Sequence, residues 1–125
     1  MDVDQLLRRH LATVPDVLTH LDAAHQGAVD AVDTDLLTQC ERRVCELLGV
    51  TSEPADAGDS AAIAACLTFV DGYMLDVAGL DDDTGSAVRD HLGEHGLADF
   101  VASLLVVEQR HRMALAFQQV LEVAP

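Results

Sequence analysis

Residues 97–121 read LADFVASLLVVEQRHRMALAFQQVL, and this stretch decides the fold. Its apolar residues recur every three or four positions, which is the period of an α-helix. The apolar stripe also contains three ionisable residues, which have to be paired because burying a lone charge is very costly. The stretch predicts a long helix carrying either a buried polar network or one wall of a site. The apolar members of the stripe are Leu97, Val101, Leu104, Leu105 and Leu115, and the ionisable ones are Glu108, His111 and Arg112.

Glycine and proline divide the rest of the chain into further helices. No segment shows the sustained alternation of a β-strand, so we expect an all-α, single-domain bundle of about five or six helices. Asp33 or Thr34 is the expected cap of the third helix, and Gly49 its end; Asp59 or Ser60 is the expected cap of the fourth helix. The expected helices cover about 3–13, 15–25, 35–48, 60–77, 84–91 and 97–122, with connections at 27–33 and 50–58.

The composition restricts the possible partners. The chain has 125 residues, of which 50% are hydrophobic and 3% aromatic, so Ala, Val and Leu have to form the core of one domain over 1–125. The net charge of −15 disfavours nucleic acid and anionic membranes as partners. No uninterrupted apolar run of about 18 residues and no basic leader is visible, so we expect a cytoplasmic protein.

The cysteines and histidines do not show the spacing of a metal site. Cys40 and Cys45 face different sides of one predicted helix, so ordinary buried thiols are expected there and at Cys66. His91 and His95 are four residues apart, but nearby glycines interrupt the helical face that a two-histidine site needs. We therefore expect neither a metal nor a cofactor.

The third and fourth predicted helices also carry polar residues next to their apolar stripes. If these stripes share one core, a pocket could form in which Asp71 pairs with Arg112 and His111 pairs with Glu108. Simple structural roles, such as a core histidine or an intrahelical ion pair, remain the alternative. The candidate acid–base residues are His111, Glu108 and Asp71, and the candidate substrate-binding residues are Arg112, Arg43, Cys40 and Tyr73.

About two-thirds of the chain resembles the alkylhydroperoxidase D-like, carboxymuconolactone decarboxylase superfamily. The resemblance lies in LLTQCERRVCELLG (36–49), CLTFVDGYMLDVAG (66–79), the segment 82–97, and VEQRHRMAL (107–115). It implies an alkylhydroperoxidase D-like bundle with a small pocket between helices. Residues 34–122 would form the family-like core, and residues 1–33 an N-terminal helical extension.

The resemblance also separates two activities. Peroxidase-active members have Cys-x-x-Cys directly after the glycine-ended helix, whereas this chain has Val-Thr-Ser-Glu-Pro at 50–54, so thiol peroxidase activity is not expected. The decarboxylase branch implies a small enzyme or small-molecule binder that performs cofactor-free proton transfer or decarboxylation. The alternative is a non-catalytic oligomeric or partner-binding protein. A homo-oligomer is expected in both cases, because the long helix is apolar also on its other side, at Val106, Met113, Phe117 and Val120.

Overall fold

The computed structural model describes residues 1–122, which form five α-helices and no β-strand. The predicted all-α bundle of about five helices is therefore confirmed. A single 3₁₀ turn, Val77–Gly79, follows the fourth helix. The helices are α1 Val3–His10, α2 Pro15–Ala31, α3 Thr34–Leu48, α4 Ala61–Asp76 and α5 Asp82–Leu121.

The caps of α3 and α4 are those expected from the sequence. The Asp33 carboxylate accepts a hydrogen bond from the backbone N–H of Leu36. Gly49 ends α3 with φ of 75°, a left-handed conformation that glycine adopts at little cost. Ser60 starts α4 by accepting a hydrogen bond from the backbone N–H of Ile63. These two helices are thus fixed largely by local sequence.

The predicted end of α2 at residue 25 is wrong. The helix continues through Gly27 to Ala31, so 27–33 is not a separate connection. A helical glycine costs only about 1 kcal/mol relative to alanine. Contact between α2 and α5 outweighs that cost, and Ala28 is buried with 4% of its surface exposed.

The two last predicted helices are joined without a connecting segment. Helix α5 is continuous except at Gly93, whose φ of 80° and ψ of 173° are not helical. Since a side chain would be strained at this φ, glycine allows the bend. The predicted break is therefore real, but it occupies one residue, and 94–96 belong to the helix.

The buried face of α5 is rotated relative to the predicted stripe. Val101, Leu105 and Arg112 are exposed, although they were expected to face the core. Phe100 is fully buried and packs edge-on against Phe69, with 5.6 Å between ring centroids. Phe100 and Leu104 lie in the interior, whereas Val101 and Leu105 lie at the edge of the buried face. The residues actually buried along this face are Phe100, Ser103, Leu104, Val107, Glu108, His111 and Ala114.

Helix α5 is covered on two sides by the chain itself. Its first part contributes to a core with α3 and α4, and its last part to a second core with α1. Met113 and Phe117 pack against this second core, which includes Leu6, Leu7 and Leu11. The intramolecular packing of α1 thus accounts for much of the apolar surface from which a homo-oligomer was expected.

One segment within 1–122, Ala61–Gly79, is long and apolar enough to cross a membrane, with a mean hydropathy of 1.5. Length and composition alone are weak evidence, because core helices of soluble proteins have the same properties. The segment includes Asp71 and Asp76, and α4 packs against α3 and α5.

Candidate functional site

His111 lies on the buried face of α5 and faces α3. Its imidazole Nδ1 is 3.6 Å from the Cys45 Sγ, and its Nε2 is 3.6 Å from the Oε2 of Glu41. Glu41 and Cys45 are one helical turn apart on α3, so both reach the same side. Each ring nitrogen of His111 therefore has its own partner on α3. Only 8% of His111 is exposed.

These contacts determine the charge of the cluster. Burial opposes the charged form of His111, but its contacts with the Cys45 Sγ and the Glu41 carboxylate outweigh it and raise its pKa to about 9. The contact with His111 in turn lowers the pKa of Glu41, against the opposing effect of burial. At neutral pH the pair is therefore an imidazolium next to a carboxylate.

A small cavity opens beside Glu41, between α2 and α3. Its volume is about 210 Å³. Glu41 reaches both the cavity and His111, whereas His111 itself does not line the cavity. The lining residues are His25 and Val29 from α2, and Thr34, Leu37, Thr38 and Glu41 from α3.

His25 has the opposite electrostatic environment from His111. Burial lowers its pKa, the positive charges of Arg110 and His111 lower it further, and the carboxylates of Glu41 and Asp22 act in the other direction. The guanidinium of Arg110 forms ion pairs with the carboxylates of Asp4, at 3.1 Å, and Asp22, at 3.8 Å. The imidazole of His25 is therefore neutral at pH 7 and can accept a proton.

The predicted convergence of Asp71, Glu108, His111 and Arg112 is wrong. Asp71 pairs with Arg43, whose Nη1 lies 2.7 Å from the carboxylate, and not with Arg112. Arg112 instead donates from Nε to Glu108, its neighbour one turn back on the same helix. His111 turns to α3, so Glu108 is not its partner. The four residues therefore belong to three separate groups: Asp71 pairs with Arg43, Glu108 with Arg112, and His111 with Glu41 and Cys45.

Cys40 has a core position, contrary to its predicted substrate-binding role. It is 1% exposed and belongs to the hydrophobic core with Cys66. Burial raises the pKa of its thiol to about 12, so the group stays neutral. The prediction of three free, buried thiols, including Cys45, is confirmed.

Three of the predicted residues do share a pocket, on the other side of α5. Tyr73, Glu108 and Arg112 line a space of about 380 Å³ between the end of α4 and α5. The remaining lining residues are Met74, Leu75, Val77 and Gln109. This pocket and the His25–Glu41 cavity have no residue in common.

His25, Glu41 and Cys45 were not among the site residues expected from the sequence. The i, i+4 spacing of Glu41 and Cys45 shows that they share a face of α3, yet nothing in the sequence indicates that His111 faces them. His25 was placed at the predicted end of α2. The continuation of that helix to Ala31 leaves His25 inside it, facing α3.

Within residues 1–122, no three His, Cys, Asp or Glu side chains are grouped so that they could hold a metal ion. No protein-family profile, curated protein or solved structure matches this chain. The resemblance to the alkylhydroperoxidase D-like superfamily therefore stays a prediction.

Proposed function

We propose that this protein is a cofactor-free acid–base enzyme, similar to carboxymuconolactone decarboxylases, which acts on a small molecule bound between His25 and Glu41. One observation carries the proposal: two histidines around one carboxylate have pKa values displaced in opposite directions. Such a split leaves His25 neutral, as a base, and His111 charged behind Glu41 at the same pH. A cavity beside the lower-pKa histidine provides space for a substrate.

In this mechanism His25 is the base that contacts the substrate. An activated C–H bond breaks, its electron pair moves into the adjacent carbonyl group, and the proton passes to the free ring nitrogen of His25. Return of that proton to another carbon completes an isomerisation. In a decarboxylation, His25 first takes the proton of the substrate's carboxylic acid group. The C–C bond then breaks, its electron pair moves into the neighbouring ketone carbonyl as CO₂ leaves, and His25 returns the proton to the carbon atom.

Glu41 and His111 have supporting roles. Glu41 lines the cavity and contacts the substrate, while its charge is balanced by the imidazolium of His111 behind it. His111 is a positioning residue, because both of its ring nitrogens are engaged by Glu41 and Cys45. The predicted acid–base role of this residue thus becomes an indirect one.

The cavity suits a small-molecule substrate. Its volume is about 210 Å³, which is enough for a small lactone or keto acid. Val29 and Leu37 offer apolar contact, and Thr34 and Thr38 offer hydroxyl groups.

The test is proton exchange at carbon. The protein is incubated in D₂O with small γ-lactones and β-keto acids, and NMR follows deuterium incorporation and CO₂ loss. We expect acceleration by the wild type and a loss of about 100-fold or more in His25→Asn and Glu41→Gln. His91→Asn, at an exposed histidine of α5, is the matched control. No acceleration, together with unshifted His25 resonances for every compound, would contradict the proposal.

A second candidate function is that of a non-catalytic oligomeric protein. Val101 and Leu105 favour it, since they lie one turn apart on an exposed face of α5, with 36% and 46% of their surfaces exposed. Analytical ultracentrifugation of the wild type and Leu105→Asp tests this function. An oligomer that Leu105→Asp converts to a monomer supports it, and a wild-type monomer contradicts it.

A further inference from the structure

We propose that the pocket between the end of α4 and α5 is a separate binding site for a small amphipathic carboxylate, which has one anionic group and an aliphatic chain. The pocket holds about 380 Å³. The α5 side carries Arg112 and Glu108, and the side formed by the end of α4 and the 3₁₀ turn carries Tyr73 and the aliphatic side chains of Leu75 and Val77. This combination of walls defines the ligand chemistry.

Arg112 is the anion-binding group of the polar wall. Its Nε is held by the carboxylate of Glu108, which orients the guanidinium. Half of the Arg112 side chain is exposed, compared with 5% of the Glu108 side chain. The two terminal guanidinium nitrogens are therefore available for a carboxylate in the side-by-side arrangement that arginine favours.

A cationic ligand fits this wall less well. Glu108 is the negative group of the pocket, but it already accepts hydrogen bonds from Arg112 and, at 3.2 Å, from the Gln109 amide. Because the Glu108 side chain is buried, the ammonium group of a ligand cannot approach its carboxylate closely. The accessible charge at this wall is thus the positive one.

Tyr73 adds a neutral donor from the α4 side of the pocket. Burial raises the pKa of its phenol, and the negative charge of Glu108 raises it further, with Arg112 acting in the opposite direction. The hydroxyl group therefore stays protonated at all ordinary pH values. It can donate a hydrogen bond to the oxygen of a bound carboxylate.

The aliphatic wall consists of residues that are unusually exposed for their type. Leu75 is 75% exposed and Val77 is 60% exposed, and Met74 lies beside them. An aliphatic chain lying on this wall would remove apolar surface from water, which contributes about 25 cal/mol per Å². A ligand that combines such a chain with a carboxylate uses both walls.

The test uses octanoate and 1-octanol as probes, which share the chain and differ in charge. Each is titrated into ¹⁵N-labelled protein, and binding is followed by the amide shifts of α4 and α5. We expect saturable octanoate binding that is about tenfold or more weaker in Arg112→Gln. Arg89→Gln removes the same charge from another exposed position of α5 and should leave binding unchanged.

A second variant keeps the proposal falsifiable if Arg112→Gln does not fold. Leu75→Ser changes an exposed residue and should weaken octanoate binding about threefold or more without altering stability. Octanol binding as tight as octanoate, equal loss in Arg89→Gln, or no saturable octanoate binding by the wild type would each overturn the proposal. The site shares no residue with the His25–Glu41 cavity and is independent of the proposed function. His25→Asn should therefore bind octanoate like the wild type.

Discussion

His111 and Glu108 lie three residues apart on α5, and both are buried, but their partners come from different places. His111 is paired with residues of α3, whereas Glu108 is paired with Arg112 of its own helix. Three residues along a helix turn a side chain by about 60° in the backward direction. That turn is enough to send one residue toward α3 and the other toward the end of α4.

The difference shows which charges depend on the tertiary fold. The imidazolium of His111 is stabilised only while α3 and α5 stay packed together. The pair of Glu108 and Arg112 can form within an isolated helix. Substitutions at His111 should therefore lower the free energy of unfolding and change its pH dependence. Substitutions in the pair of Glu108 and Arg112 should lower the free energy of unfolding less.

The largest expected effect is that of His111→Ala. It removes a buried ring, leaves a cavity beside Cys45 and takes the cation away from Glu41, so we expect a loss of about 3 kcal/mol in the free energy of unfolding. Urea unfolding measures this loss. The control His91→Ala is at an exposed position and should change stability by about 0.5 kcal/mol or less. Equal effects of the two variants would show that His111 is not held as described.

The pH dependence of stability should be the next largest effect. Because the folded-state pKa of His111 is about 9, its contribution is complete below about pH 6.5 and is lost as the pH rises toward 9. The carboxylate of Glu41 has a lowered pKa, so its contribution is lost as the pH falls below about 4.5.

We expect a decrease of roughly 1–3 kcal/mol between pH 6.5 and 9, since Glu41 is partly exposed and solvent screens the pair. Unfolding measured across this range in the wild type and in Glu41→Gln tests the expectation. The free energy of unfolding of Glu41→Gln should change less with pH than that of the wild type. Identical profiles would place the titrating group elsewhere.

On the other side of α5, Arg112→Gln should cost about 1–2 kcal/mol, because it leaves the buried Glu108 carboxylate without its cation. Adding Glu108→Gln to this variant should recover part of the loss, since the uncompensated charge is then gone. A double-mutant cycle by thermal unfolding provides the measurement. Strictly additive losses would mean that the two side chains do not interact.

The smallest effect is expected for the ion pair between Arg43 and Asp71, which takes the place of the predicted pair between Asp71 and Arg112. Asp71→Asn should cost about 0.5–1 kcal/mol, because Arg43 and Asp71 are partly exposed, with 25% and 40% of their side chains exposed. Chemical unfolding of Asp71→Asn, Arg43→Gln and the double variant measures their coupling. A coupling of similar size between Asp71 and Arg112 would restore the pairing expected from the sequence.

Much of the fold was predictable because it depends on local signals. Asp33, Ser60 and Gly49 mark helix ends through hydrogen bonds and backbone conformations within a few residues of each other. Helix α2 was not predicted to its full length, because contact with α5 stabilises it beyond Gly27. Local reading of the sequence cannot include that contact.

The candidate site was less predictable, since it depends on helix rotation. The rotation of α5 leaves Arg112 exposed and keeps Glu108 and His111 buried. The sequence identified the two buried ionisable residues correctly. It could not identify Glu41 as the partner of His111, because that contact joins positions 70 residues apart on different helices.

The most direct test of the central claim is an NMR titration of the His25 and His111 imidazoles in the wild type and in Glu41→Gln. We expect that His25 titrates below its ordinary pKa of 6.5, that His111 titrates near 9, and that Glu41→Gln lowers the pKa of His111. If both imidazoles titrated near 6.5 and neither responded to Glu41→Gln, the cluster would not hold one neutral and one charged histidine at the same pH, and the proposed function would lose its basis.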